Sequence, residues 1–103
     1  MTKKRLQPDA RKDQILQAAI KVAARPGGWG KLTRDAVAKE ADCAEGLPSK
    51  YFGTMLNFKR AIMRAAIQDR NLSVIAQGLA AGDKAALKAE DALKREALDT
   101  LAG

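Results

Sequence analysis

The side chains best suited to chemistry in this sequence are cations. The chain has 19 Lys and Arg residues, 12 Asp and Glu residues, no histidine and one cysteine, Cys43. A disulfide within the chain and a metal site built on a cysteine pair are therefore excluded. No glycine-rich phosphate loop stands between a strand and a helix, and no carboxylate cluster has metal-ligand spacing. The sequence predicts a protein that is not an enzyme and needs no cofactor or metal, and whose cations bind an anionic partner.

These cations are concentrated towards the N-terminus. Residues 1–60 contain 13 Lys and Arg against 6 Asp and Glu, a net charge of +7, whereas residues 61–103 contain 6 of each. A solvated surface needs charge, but it does not need this segregation. Segregated positive charge is typical of a protein with a polyanionic partner at one end. Nucleic acid is the first candidate, and an anionic membrane surface is a distant second.

The elements that must position these cations are predicted to be helices. Residues 1–8 form a basic arm that we expect to be flexible, and Asp9 is the candidate cap of a first helix. Its apolar residues recur at spacings of three and four, and Pro26-Gly27-Gly28 ends it. Thr33 is the candidate cap of a short second helix, and a third short helix ends near Phe52. Two short helices joined by a tight turn have the outline of a helix-turn-helix.

The rest of the chain is predicted to contain one long helix and one shorter helix. Thr54 is the candidate cap of the long helix, over about 55–81, which has apolar residues on two faces. Such a helix packs on its own core and on a second surface. Asp83 can cap the last helix, from 84 to about 101, on which Glu90 and Lys94 are spaced to pair. With no strand alternation, the fold class is all-α.

The segment from Arg11 to Ile62 resembles the DNA-binding domain of the TetR family of repressors. The family pattern has an Arg, an Ile-Leu pair and two alanines on the first helix, then a Gly-aromatic pair and a capping Thr. A short apolar helix, a turn and a recognition helix ending in Tyr-Phe follow. The matching residues here are Arg11, Ile15-Leu16, Ala18-Ala19, Gly28-Trp29, Thr33, Val37-Ala38, Ala41 and Tyr51-Phe52.

The sequence departs from this pattern around the recognition helix. Asp42 replaces the turn glycine, although Asp adopts the left-handed conformation less readily than Gly. Ala44 replaces the usual Ser or Thr cap. Pro48 is tolerated only in a first turn, which predicts that the helix begins near Leu47. Met55 replaces a frequent lysine, which leaves Lys59 and Arg60 to supply charge nearby.

The resemblance implies three regions: the basic arm 1–8, a DNA-binding region 9–60 and a helical dimerisation region 61–103. Family members usually continue into a large domain that binds an inducer. About 40 residues follow Ile62 here, and from them we expect dimerisation and no small-molecule ligand. In this respect the chain is similar to short plasmid- or phage-borne repressors of the KorC type. The implied function is that of a dimeric repressor on an inverted-repeat operator in double-stranded DNA.

The expected DNA contacts centre on Lys50 and Ser49, which would face base edges or phosphates, the alternative being a solvated helix face. Arg34, beside a helix N-terminus, would bind phosphate. The Tyr51 ring could pack in the core while its hydroxyl contacts a phosphate. Glu45 could accept a hydrogen bond from cytosine, or it could be an acidic residue that stabilises the N-terminus of the helix. The candidates are Lys4, Arg5, Thr33, Arg34, Glu45, Gly46, Leu47, Ser49, Lys50, Tyr51 and Lys59. The candidate dimer contacts are Ile62, Leu72, Ile75, Leu79, Leu87, Leu93, Leu98 and Leu101.

A basic helical module that binds RNA is the main alternative to a DNA-binding repressor. Its weakness is that the few aromatic residues fall at core positions, whereas readers of single-stranded RNA usually offer exposed stacking rings. A purely protein-binding adaptor has no reason to concentrate charge at one end. Since no apolar run approaches the length of a membrane span and residues 1–6 lack a signal-peptide core, we expect a cytoplasmic protein, associated with nucleoid or plasmid, without membrane contact.

Overall fold

The computed structural model describes residues 8–102, and this part of the chain is all-helical. Loops of two to nine residues join the helices, which pack around one core. None of them has the length and apolar character that a membrane crossing requires. The helices of residues 8–102 are α1 (Pro8–Ala24), α2 (Arg34–Ala41), α3 (Leu47–Phe52), α4 (Met55–Gln68), α5 (Leu72–Ala80), α6 (Lys84–Leu87) and α7 (Asp91–Ala102).

The end of α1 follows the prediction from Pro26-Gly27-Gly28. Gly27 has a φ of +70°, a conformation that glycine adopts without steric cost. At Gly28 the chain passes so close to α1 that an added Cβ would lie 2.2 Å from the Val22 carbonyl oxygen. The chain therefore turns back against the end of α1 at this point. The next residue, Trp29, is buried, with an exposure of 3%.

The helices α2 and α3 are joined by the segment 42–46. Thr33 caps α2 as predicted, since its Oγ1 accepts a hydrogen bond from the Ala36 backbone N–H at 3.1 Å. Asp42 stands where the pattern described above has a turn glycine, and it takes the left-handed conformation, with φ 54° and ψ 51°. The helix α3 begins at Leu47, so Pro48 lies in its first turn, where a missing N–H costs no helical hydrogen bond.

The predicted long helix over 55–81 is wrong, because the chain breaks at 69–71 into α4 and α5. Arg70 has a φ of +55°. Asn71 then caps α5 with its side-chain oxygen, which accepts from the Val74 N–H. The backbone N–H of Asn71 also closes α4 by donating to the Ala66 carbonyl at 2.8 Å. Apolar periodicity continues across this break, and for that reason the pattern alone indicates a single helix.

The predicted last helix is also divided, into α6 and α7. Asp83 caps α6 as expected, by accepting from the Ala86 N–H. The expected pair of Glu90 and Lys94 does not form. Lys94 instead lies 3.3 Å from the Asp91 carboxylate and donates to the Leu87 carbonyl at 2.9 Å, across the gap between the two helices.

The core lies between α1, α4 and α5, with α2 and α7 closing its sides. Its largest fully buried side chains include Phe58, Ile62 and Met63 of α4. Gln77 of α5 links two parts of the fold, since its Nε2 donates to the Ala23 carbonyl at 2.7 Å and its Oε1 accepts from the Trp29 N–H at 2.9 Å. The last turn of α1 and the loop after it are therefore held on α5.

Candidate nucleic-acid interface

The helix α3 presents polar side chains to solvent on one side and packs on the core with the other. Ser49 and Lys50 are exposed, as are Glu45 and Gly46 just before the helix. Pro48 is fully buried, and Leu47 packs against the core while staying partly exposed. The buried proline anchors α3 on the core, while the two residues after it are exposed on the other side of the helix. Ser49 and Lys50 are therefore accessible to a partner, and their contact with DNA stays a prediction.

Arg34, the first residue of α2, connects that helix to the outward face of α3 and to the residue that ends α3. Its Nη1 donates to Ser49 Oγ at 3.0 Å and to the Gly53 carbonyl at 3.4 Å. The sequence predicts a phosphate contact for Arg34, but it does not reveal this brace, because the partners lie 15 and 19 residues away. The guanidinium has five N–H donors, so these two contacts leave others for an anion.

The remaining candidates near α3 differ in how freely they face solvent. Thr33 is exposed, and its Oγ1 is engaged as acceptor in the α2 cap while the O–H stays a potential donor. Tyr51 is half-buried against the core. Phe52, predicted to be a core residue, is also half-buried and stacks on Phe58 with ring centroids 4.9 Å apart.

Lys59 lies apart from α3, in a second surface. Its Nζ is 4.7 Å from the centroid of the Trp29 ring, a cation–π contact. It lines a groove between α4 and the segment 81–88, and no residue of α3 lines that groove. The cations of this basic groove are Lys59, Arg60, Arg64, Lys84 and Lys88.

The sequence reasoning missed most of this basic groove. Arg60 and Arg64 are four residues apart on α4, and Lys84 and Lys88 are four apart across α6 and its end. Spacing of four places side chains on one face of a helix, so these pairs were a readable signal. Counting residues 61–103 as neutral hid Arg64, Lys84 and Lys88, because the total charge of a segment does not show how the fold distributes that charge.

The predicted dimer contacts divide by burial. Ile62, Ile75 and Leu93 are buried in the core of the single chain, so they offer no surface to a partner. Leu72 and Leu79 are partly buried. Leu87 and Leu98 remain available, at 49% and 50% exposure. Leu101, Lys4 and Arg5 lie outside the described side chains.

In the described part of the chain, no group of three or more His, Cys, Asp or Glu side chains is arranged to hold a metal ion. Comparison of the sequence and structure with protein-family models, with curated proteins and with solved structures found no match. The geometry of the chain itself therefore has to support any functional conclusion.

Proposed function

We propose that this protein is a sequence-specific DNA-binding transcriptional repressor that binds an inverted-repeat operator as a dimer. In this proposal α2 and α3 act as a helix-turn-helix, and α3 enters the major groove. The observation that carries it is the outward face of α3. Ser49 and Lys50 are exposed on a helix that the buried Pro48 anchors and that Arg34 braces.

The chemistry of this face suits duplex DNA. A lysine ammonium can donate to the O6 and N7 acceptors of guanine, and a serine hydroxyl can donate or accept at either base pair type. Gly46 adds no side chain in front of the helix, and an added Cβ there would meet no atom within 4 Å. The backbone can therefore approach a groove wall closely at this point.

The distribution of charge supports the same partner. Residues 1–60 hold the whole net charge of +7, and this segment includes α1, α2 and α3. Phosphate contacts give most of the affinity for DNA irrespective of sequence, and contacts with base edges give the specificity. The excess of cations would supply the phosphate contacts that give affinity. The short outward face of α3 would supply the base contacts that give specificity.

A dimer would contact DNA through two copies of α3, and its symmetry would determine the symmetry of the operator. A two-fold axis places the same patch on both protomers, and two recognition helices about 34 Å apart reach successive major grooves. Among the described residues, Leu87 of α6 and Leu98 of α7 are exposed apolar side chains available for such a contact. An inverted-repeat operator follows from this symmetry.

The alternative, an RNA-binding module, is disfavoured by the aromatic residues. The chain has four of them, Trp29, Tyr51, Phe52 and Phe58, and each is buried or half-buried. Single-stranded RNA is usually read by exposed rings that stack on unpaired bases. No ring in this chain is exposed in that way.

The deciding experiment compares duplex DNA with single-stranded RNA of matched length, and then selects bound sites from random duplexes. We expect tighter binding to the duplex and enrichment of a sequence with two-fold symmetry. Tighter binding to RNA would favour the alternative. Duplex binding without any enriched sequence would contradict a sequence-specific repressor.

A further inference from the structure

The lining of the basic groove contains five cations and one carboxylate, that of Asp83. Among the described residues, none of its five cations lies within 4 Å of a carboxylate, whereas Arg25, Arg70 and Lys94 elsewhere do form such pairs. The Asp83 carboxylate caps α6 through its Oδ1 and keeps its negative charge, so the lining of the groove has a net charge of +4. Uncompensated cations on opposite walls repel one another, which costs stability unless an anion binds between them.

The arrangement of these cations suits a long anion better than a small one. Arg60 and Arg64 lie one turn apart on α4, and Lys84 and Lys88 are on the opposite wall. From Leu56 to Ile67 the α4 wall rises about 16 Å, at about 1.5 Å per residue. A small anion needs donors that converge on one point, whereas exposed cations spread along a groove match regularly spaced charges. One DNA strand carries a phosphate about every 3.4 Å along the duplex axis.

The groove begins close in sequence to the candidate interface. The helix α4 follows α3 after Gly53 and Thr54, and Leu56, the first groove residue on α4, lies in its first turn. A polyanion that contacts α3 and continues along α4 would reach the groove. An acidic polypeptide could satisfy the same cations, but nothing connects it to α3.

We propose that the basic groove binds the sugar–phosphate backbone of duplex DNA beyond the segment that α3 contacts. This inference rests on the proposed function and extends it: the protein would hold its operator through two separate surfaces. The α3 face would read bases, and the groove would add affinity without adding specificity, because phosphates carry no sequence information.

The first test is the salt dependence of binding to a random-sequence duplex of about three helical turns. We expect Lys84→Gln/Lys88→Gln to reduce the slope of log affinity against log salt by about 2, since each phosphate contact contributes about 0.9. The matched control, Lys21→Gln/Arg95→Gln, removes the same charge from exposed positions on α1 and α7 and should leave the slope unchanged. Equal slopes for the wild type and the groove variant would overturn the proposal.

The second test locates the DNA by lysine acetylation with and without the same duplex. We expect protection of Lys84 and Lys88 together with Lys50, and no protection of Lys21, which is exposed on α1. Protection of Lys50 alone would overturn the groove proposal and leave the proposed function standing. Protection of none of these lysines would count against both. Protection of Lys84 and Lys88 by polyglutamate but not by DNA would assign the groove to an acidic polypeptide and overturn the proposal.

Discussion

Lys50 is the side chain whose replacement tests base recognition most directly. We expect Lys50→Ala to weaken binding to the selected operator by about 1–3 kcal/mol, and binding to unrelated DNA much less. The reason is its exposed position two residues after the buried Pro48. Arg95→Ala, which removes an exposed cation from α7, is the control. Equal losses on both DNAs would make Lys50 a phosphate contact, and no loss would place recognition elsewhere.

Gly46 offers a test that leaves charge unchanged. Its φ is −78°, which alanine also adopts, and an added Cβ meets no atom within 4 Å. We therefore expect Gly46→Ala to fold with an unchanged melting temperature while losing affinity for the operator, because the methyl group obstructs close approach to DNA. Thermal unfolding and fluorescence anisotropy measure the two quantities. Undiminished affinity would show that the loop before α3 stays clear of the DNA.

Arg34 has two possible contributions, which one variant can separate. We expect Arg34→Ala to weaken binding to operator and random duplexes alike. If Arg34 contacts phosphate, the slope of log affinity against log salt should also become shallower by about 1. If the side chain only braces Ser49 and Gly53, affinity falls and the slope is unchanged. Titration at several salt concentrations distinguishes the two, and the second result would remove Arg34 from the interface.

At the scale of elements, Gly28 is the position where the fold leaves least room. A Cβ at Gly28 would lie 2.2, 2.8 and 2.9 Å from three backbone carbonyl oxygens, which cannot move as a side chain can. We expect Gly28→Ala to lower the free energy of unfolding by at least about 2 kcal/mol. Gly30→Ala is the matched control, since its nearest neighbour would be 3.8 Å away. Urea denaturation gives both values, and similar values would refute the close approach.

The helix boundaries that were predictable from sequence are those with a local chemical signal. Thr33, Thr54 and Asp83 are caps whose side-chain oxygens bond within their own first turns, and the structure confirms each of them. The break at 69–71 was missed, although Asn71 is also a good cap, because the apolar residues on either side keep helical spacing. The helix α5 packs on both α4 and α7, and these contacts between helices cannot be read from the spacing of apolar residues.

At the scale of the whole molecule, oligomeric state is the property most open to test. We expect a dimer at micromolar concentration by sedimentation, and a monomer after Leu87→Glu/Leu98→Glu, since burying unpaired carboxylates in an apolar contact is costly. Leu56→Glu is the control, because Leu56 is 63% exposed but lies on α4. A monomeric wild type would contradict the symmetric operator as well as the dimer.

The site as a whole was predictable in part. Its outward residues on α3 followed from the position of Pro48, which restricts where the helix begins. The Arg34 brace and the basic groove were not predictable, because each joins residues from different elements. In the groove, cations from α4 and from 81–88 lie together, while acidic residues such as Glu96 and Asp91 pair with other cations.

The buried Trp29 is an intrinsic fluorescence probe of the fold. It is the only tryptophan in the chain, its ring lies beneath Lys59, and its backbone N–H is held by Gln77. Its fluorescence emission should therefore change when the loop after α1 separates from α5 at the α1–α5 junction, whereas far-ultraviolet circular dichroism follows all of the helices together. If the two unfolding curves coincide, the junction and the helices melt as one cooperative unit. An earlier change in emission would identify this junction as the first part of the fold to open.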